Sequence, residues 1–217
     1  MSEDVITKEN YFSCPIYNIK KPKWINQLNS LCDKEIEKAK VKDQNIFEQR
    51  KQKFGKDIGT IGHSFHSNNL NVDPNFAFFN QFIGERAREI LDEQGYDLSN
   101  YILIVNDNWV QEFSQGGYHS MHIHPNNHIS GFYYLKCSDK TSFPIFHDPR
   151  PGKVIMDLPE KEPEKIDDSS SKIFYLPEPG DMYFFNSYLT HEYSFDFGIE
   201  PFRFIHFNIQ AIPRIDV

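Results

Sequence analysis

The feature that most constrains the fold is a change of hydrophobic period at Gly95. Beyond it, apolar residues stop recurring at helical spacing and gather in short runs at 101–105, 109–113, 129–135, 143–146, 173–176, 182–185 and 202–209. Turn residues separate several of them, as in Pro149-Arg150-Pro151-Gly152 and Pro177-Glu178-Pro179-Gly180. Runs of this length bounded by such turns read as strands. Seven or more of them at this spacing predict a sandwich, jelly roll or barrel. The 20 Phe and 11 Tyr fit, because both suit a pleated, half-buried surface.

The first hundred residues read differently. Residues 24–54 are rich in Lys, Glu, Gln and Asn, with a thin apolar stripe at Ile25, Leu28, Leu31 and Ile36, so one or two surface helices are expected. The glycines, Ser and Asn of 55–71, with His63 and His66, read as a loop. A second helix is punctuated by Asp73 as cap, Pro74 in the first turn and Gly95 at the end; Phe79, Ile83, Ala87, Ile90 and Leu91 share its core face. The expected organisation is one compact unit: a helical support region over 1–98 and a β core over 99–217. Residues 156–172, acidic and Pro-rich, read as an exposed insertion between strands.

The 31 acids outweigh 23 bases, for a net charge of −8, which argues against a nucleic-acid or anionic-membrane surface. The basic clusters near Lys20 and Arg50 carry acids as well and read as solvated faces. Cys14, Cys32 and Cys137 are odd in number and far apart, which fits a reducing compartment. The polar, acidic start is unlike a signal peptide, and no apolar run nears the ~20 residues of a membrane span. A soluble, cytoplasmic protein is expected.

Four of the nine histidines lie in YHSMHIHPNNH. On a strand, residues i and i+2 face the same way, so His122 and His124 can reach one point, as a metal ion requires. The bland alternative is a polar strand end with solvated imidazoles. His191 follows the apolar segment GDMYFFNSYLT, and Arg203 sits twelve residues later inside PFRFIHFNI. An Arg in such a run is costly to bury without an anion. Either it faces away from Phe202 and Phe204 and pairs with an acid such as Asp196 or Glu200, or it faces inward and needs an anionic ligand.

The order His122-Ile123-His124, then Ser130 to Leu135 (SGFYYL), then His191, then Arg203 resembles the Fe(II)- and 2-oxoglutarate-dependent oxygenases of the prolyl-hydroxylase type, over roughly residues 100–212. HIHPNNHISGFYYL, FHDPR and RFIHFNIQ are similar to a small group of phage and bacterial oxygenases. The resemblance implies a double-stranded β-helix (jelly roll), mainly β with N-terminal helices. It implies Fe(II) as cofactor and 2-oxoglutarate and O₂ as cosubstrates, with release of succinate and CO₂. A peptide or small molecule would be hydroxylated. His122 and His191 would be metal ligands, Arg203 would pair with the far carboxylate of 2-oxoglutarate, and Tyr134 would donate a hydrogen bond to it. Tyr133 would face the other side of the sheet.

His124 stands where that family has a carboxylate. Three arrangements are open: His124 as third ligand, a carboxylate such as Asp148 or Asp107 from another strand, or two ligands plus water. The i, i+2 geometry favours the first. His119, at an odd offset from His122, is expected on the opposite face. His128 and His147 are expected at the pocket rim, and His206 as a packed strand histidine.

A cupin-type three-histidine metalloprotein is the rival reading. Gly116 suits it, but Asn126, Asn127 and His128 stand where cupins need a Glu, and Gly180 lies too far before His191. A non-catalytic β-sandwich is a second rival. Zinc hydrolysis would need a general base such as Glu112 or Asp107, and no H-E-x-x-H helix is present. The loop at 55–72 and the insertion at 156–172 are expected to frame the entrance. The acidic insertion suits a basic peptide or amine.

Overall fold

The computed structural model describes residues 6–151 and 158–214. Strands β1 (Ile16–Lys20), β2 (Ser64–His66), β3 (Tyr101–Phe113), β5 (Ile129–Lys136), β8 (Asp181–Asn186) and β10 (Phe202–Pro213) form one sheet in the order β1-β8-β5-β10-β3-β2. Strands β4 (His119–His122), β6 (Pro144–His147), β7 (Lys172–Phe174) and β9 (His191–Tyr193) form a second sheet, β4-β9-β6-β7. All paired strands are antiparallel. Two antiparallel sheets of this make-up are the expected mainly-β architecture.

The runs expected at 101–105 and 109–113 are one continuous strand, β3, which pairs with β10 along its whole length across a single register shift near Asn208. The supposed loop at 55–71 contains β2, which pairs with the end of β3. The region expected to be a helical support therefore contributes two strands, β1 and β2, to the larger sheet.

Helix α1 (Ile25–Phe54) is one helix of 30 residues, ended by Gly55 at φ 67°, a left-handed conformation that glycine adopts without strain. Asp73 caps a short 3-10 turn at Pro74–Phe76, and this turn leads into α2 (Ala77–Glu93). Phe79, Ile83, Ala87, Ile90 and Leu91 are its buried face, as the spacing requires. Both helices pack on one face of the larger sheet.

That face carries Val110, Tyr133, Ile205, Phe207 and Ile209, joined to Leu28, Phe79 and Ile83 of the helices. The opposite face carries Phe113, Phe132, Tyr134, Phe202 and Phe204, which meet Phe146 and Tyr193 of the smaller sheet. Period-2 alternation therefore sorts the aromatic residues into two separate cores. Tyr133 and Tyr134 fall on opposite faces, as expected.

Gly131 lies where the larger sheet is tightest. A Cβ there would meet the Phe207 ring and the Tyr183 carbonyl oxygen, each at 2.3 Å. Gly131→Ala should lower stability by about 2–3 kcal/mol through overpacking, read as a fall in the midpoint of chemical denaturation.

Asp196, in the loop after β9, is buried. Its Oδ1 accepts the Gly198 N–H, while Oδ2 has no hydrogen-bond partner. Burial pushes its pKa up to about 6. The native state then holds this proton more tightly than the unfolded chain does. Stability falls as pH rises from about 4 towards 6, and the deficit persists above that. Asp196→Asn should raise the melting temperature at pH 8 and leave it unchanged near pH 4.

Candidate metal centre

The inward face of the barrel gathers five histidines at one end. His122 and His191 are opposed across β4 and β9, with ring centroids 4.4 Å apart. His124 follows β4, and its Nε2 lies 3.2 Å from His191 Nε2. One ring nitrogen from each of His122, His124 and His191 lies within 4.8 Å of the others, the one such grouping among the described residues.

The tautomers of two of them are fixed by backbone carbonyls, which can only accept. His122 Nδ1 donates to Ser120 O at 2.7 Å, and His191 Nδ1 donates to Leu189 O at 2.9 Å. Nε2 is thereby left as a lone pair, the orientation that outer-shell carbonyls impose on metal-binding histidines. Burial depresses the pKa of His124 and of His191 to about 3, and that of His122 also falls. All three imidazoles are neutral at pH 7, as ligands must be. A neutral nitrogen set with no internal acid to satisfy it fits a divalent transition metal.

His119 joins the same side. A register irregularity between His119 and His122 cancels their odd offset, and the two rings stack at 4.2 Å. The expectation of opposite faces fails because the strand is not regular there. His206 also points inward. Its Nε2 donates to Asn208 Oδ1, and its ring lies 4.4 Å from His124. Trp109, Gln111, His119, Phe132, Tyr193, Phe204 and His206 join His122 and His124 around a cavity of about 10 Å³, room for about one water. Tyr193 was not legible as a site residue, although it is two residues after His191 and therefore on the same face.

Tyr134 is fully buried on the inner face, and its hydroxyl lies 2.9 Å from that of Tyr193. Arg203 does not join this site. Period-2 alternation along β10 turns Phe202, Phe204 and His206 inward and Arg203 towards α1. Its Nε and Nη2 reach Glu112 Oε2 at 2.7 and 2.6 Å, and its Nη1 reaches Asp33 Oδ1 at 2.6 Å. The partners are these two acids, and not Asp196, Glu200 or an internal ligand. Arg203 is 3% exposed, so its charge is buried and paired.

The carboxylates weighed as third ligands lie elsewhere. Asp148 receives the Arg150 guanidinium, and Asp107 accepts a hydrogen bond from Asn208. His147 pairs with Glu192, and His128 accepts the Ala211 N–H. His66 lies near His119 and Trp109, while His63 is bonded to Asp43 of α1. A larger cavity, about 680 Å³, is lined by residues 8–14, 147–150 and 166–173; Phe146 and Leu189, which touch His191 from its Nδ1 side, also line it. The insertion at 156–172 thus borders this cavity, though 156 and 157 lie outside the described residues.

Residues 107–199 match the model of a family described as "Putative 2OG-Fe(II) oxygenase". Over these residues the β core is similar to that family. No curated protein matches the chain. Among solved structures, a prolyl-4-hydroxylase from Pseudomonas putida is 10% identical, with 91% of this chain and 93% of that chain covered and a TM-score of 0.54. HygX from Streptomyces hygroscopicus, solved with iron bound, is 10% identical, with 91% and 82% covered and a TM-score of 0.55. HygX with nickel and 2-oxoglutarate bound is 11% identical, with 90% and 82% covered and a TM-score of 0.54. At these identities the likeness is one of fold, the double-stranded β-helix with N-terminal helices. No helix among the described residues is long and apolar enough to cross a membrane.

Arg203→Ala should leave buried Glu112 with Lys40 alone as a cation partner and lower stability by about 3 kcal/mol, measured by equilibrium unfolding.

Proposed function

We propose that the protein is an Fe(II)- and 2-oxoglutarate-dependent oxygenase whose metal is held by His122, His124 and His191. The observation that carries this reading is the convergence of three neutral imidazoles, two with Nε2 freed by carbonyl-bound Nδ1 atoms, at one end of a family-matched β core. The overall reaction balances as substrate–H + 2-oxoglutarate + O₂ giving substrate–OH + succinate + CO₂. Bound Fe(II) supplies the activation of O₂ coupled to decarboxylation of the keto acid.

The chain's own residues supply the rest. Ser120 O and Leu189 O orient two ligand rings. Phe132, Phe146 and Phe185 surround His191 and keep water from its buried side. Three nitrogen ligands leave positions open on a six-coordinate metal, as cosubstrate binding requires. A neutral ligand in place of a carboxylate leaves the centre one unit more positive, which favours anionic chelators. The substrate is a peptide or small molecule; the acidic insertion supports a basic one.

One observation favours a second reading. Arg203 is turned to α1, away from the histidines. A three-histidine metalloprotein that does not use a keto acid would need no cation there.

The test is anaerobic. Fe(II) and 2-oxoglutarate are added to metal-free protein, and the visible metal-to-ligand charge-transfer band is sought. Its appearance supports the oxygenase reading; iron binding without the band supports the second. His191→Ala should lose both the band and iron-dependent release of CO₂ from 2-oxoglutarate, while its circular dichroism stays that of the folded protein. Undiminished turnover by that variant would refute the site.

A further inference from the structure

We propose that the outward face of the smaller sheet docks a second copy of this chain, forming a two-fold symmetric dimer. This inference goes beyond the oxygenase reading and stands without it.

The face follows from alternation along four short strands. His119, His122 and His124 turn inward, so their neighbours Tyr118, Met121 and Ile123 turn outward. On β9, Glu192 lies between the inward His191 and Tyr193. On β6, Ile145 and His147 flank the inward Phe146. On and just after β7, Phe174 and Leu176 flank Tyr175, which packs into the barrel core. The strand registers align these residues across the sheet. Glu192 stands opposite Ile145, Ile145 opposite Phe174, and His147 opposite Lys172. The Tyr118 ring lies 4.9 Å from that of Phe195, which extends the surface past β4. The outward residues therefore form one continuous patch.

Two properties of the patch select a second copy as its occupant. The first is area. Tyr118, Met121, Ile123, Phe174, Leu176 and Phe195 are between 46% and 63% exposed. At roughly 200 Å² for a large side chain, they offer about 700 Å². That is close to the ~800 Å² each partner gives to a standard interface, and above the roughly 300–600 Å² of the largest apolar patch on a typical monomer.

The second property is charge. The chain carries a net −8, so two copies repel wherever their acids meet. The registered positions of this face hold one acid, Glu192, and one base, Lys172. Two acidic copies can approach through so balanced a surface. A basic partner would find no excess of acid there. A two-fold contact sets one face against itself, so the face must be complementary to itself. An apolar surround with a central donor and acceptor meets that requirement: His147 Nε2 lies 3.0 Å from Glu192 Oε1, and either group can exchange its partner for the copy's. The contact uses the backs of β4 and β9, and the histidines on their inner side stay out of it.

The test is sedimentation velocity over a concentration series. The wild type should pass from monomer to dimer as concentration rises. Phe174→Glu and Leu176→Glu replace exposed side chains and should keep the circular dichroism of the folded protein. Each should weaken dimerisation by about tenfold or more, because symmetry brings every new charge into the contact twice. If one variant fails to fold, the other decides. Val72→Glu, at an 85% exposed position in the turn against the larger sheet, should dimerise as the wild type does. Added salt should hold or strengthen the dimer, since screening relieves the repulsion between acidic copies. A wild type that stays monomeric throughout would overturn the proposal, even if the face then captured some other protein. So would a dimer that both glutamate variants leave intact, one that Val72→Glu weakens equally, or one that salt dissociates.

Discussion

The alternation of side chains along β10 is the constraint on which the rest of the molecule depends. Ile205, Phe207 and Ile209 face the helices, while Phe202, Phe204, His206 and Asn208 face the barrel. A slip of one residue would exchange the two sets and put Ile205 among the histidines. Pairing with β3 on one side and β5 on the other holds the register. The helices cover one face so that the other can be devoted to the site.

That division also decides where charge resides. The barrel interior is aromatic and neutral, its histidines kept uncharged by burial. The strong charges of the sheet are on the helix side, where Arg203, Glu112 and Asp33 tie β10, β3 and α1 together, with Lys40 3.4 Å from Glu112. α1 has few buried residues for its length: Leu28, Cys32, Ile36 and Ala39. The Arg203 contact to Asp33 gives this thinly apolar helix a specific register against the sheet.

The β core and α2 were legible because their apolar periods are long and their punctuation is clear. β2 was not, since a three-residue strand in a Ser- and Asn-rich segment has no period to read. The metal triad was legible from i, i+2 spacing and from the resemblance. His119 was misplaced because a β-irregularity leaves no mark in composition. Arg203 was misread for a different reason: its own strand offers two faces, and only the acids on β3 and α1 decide between them. Tyr193 and His206 follow from alternation once the strand bounds are known, and those bounds were the missing information.

Gly131 has a mechanical consequence. Where a backbone carbonyl and an aromatic ring press on a glycine, adjoining strands have no slack to part. The larger sheet is close-packed there and is backed by two helices. The smaller sheet is built from strands of three or four residues. Local opening has its lowest cost where backbone pairing is short and burial is shallow. His122, His124 and His191 are all borne on, or adjoin, β4 and β9. In this architecture the histidine cluster is carried by the short-stranded sheet, and the long-stranded sheet gives it a continuous wall to face.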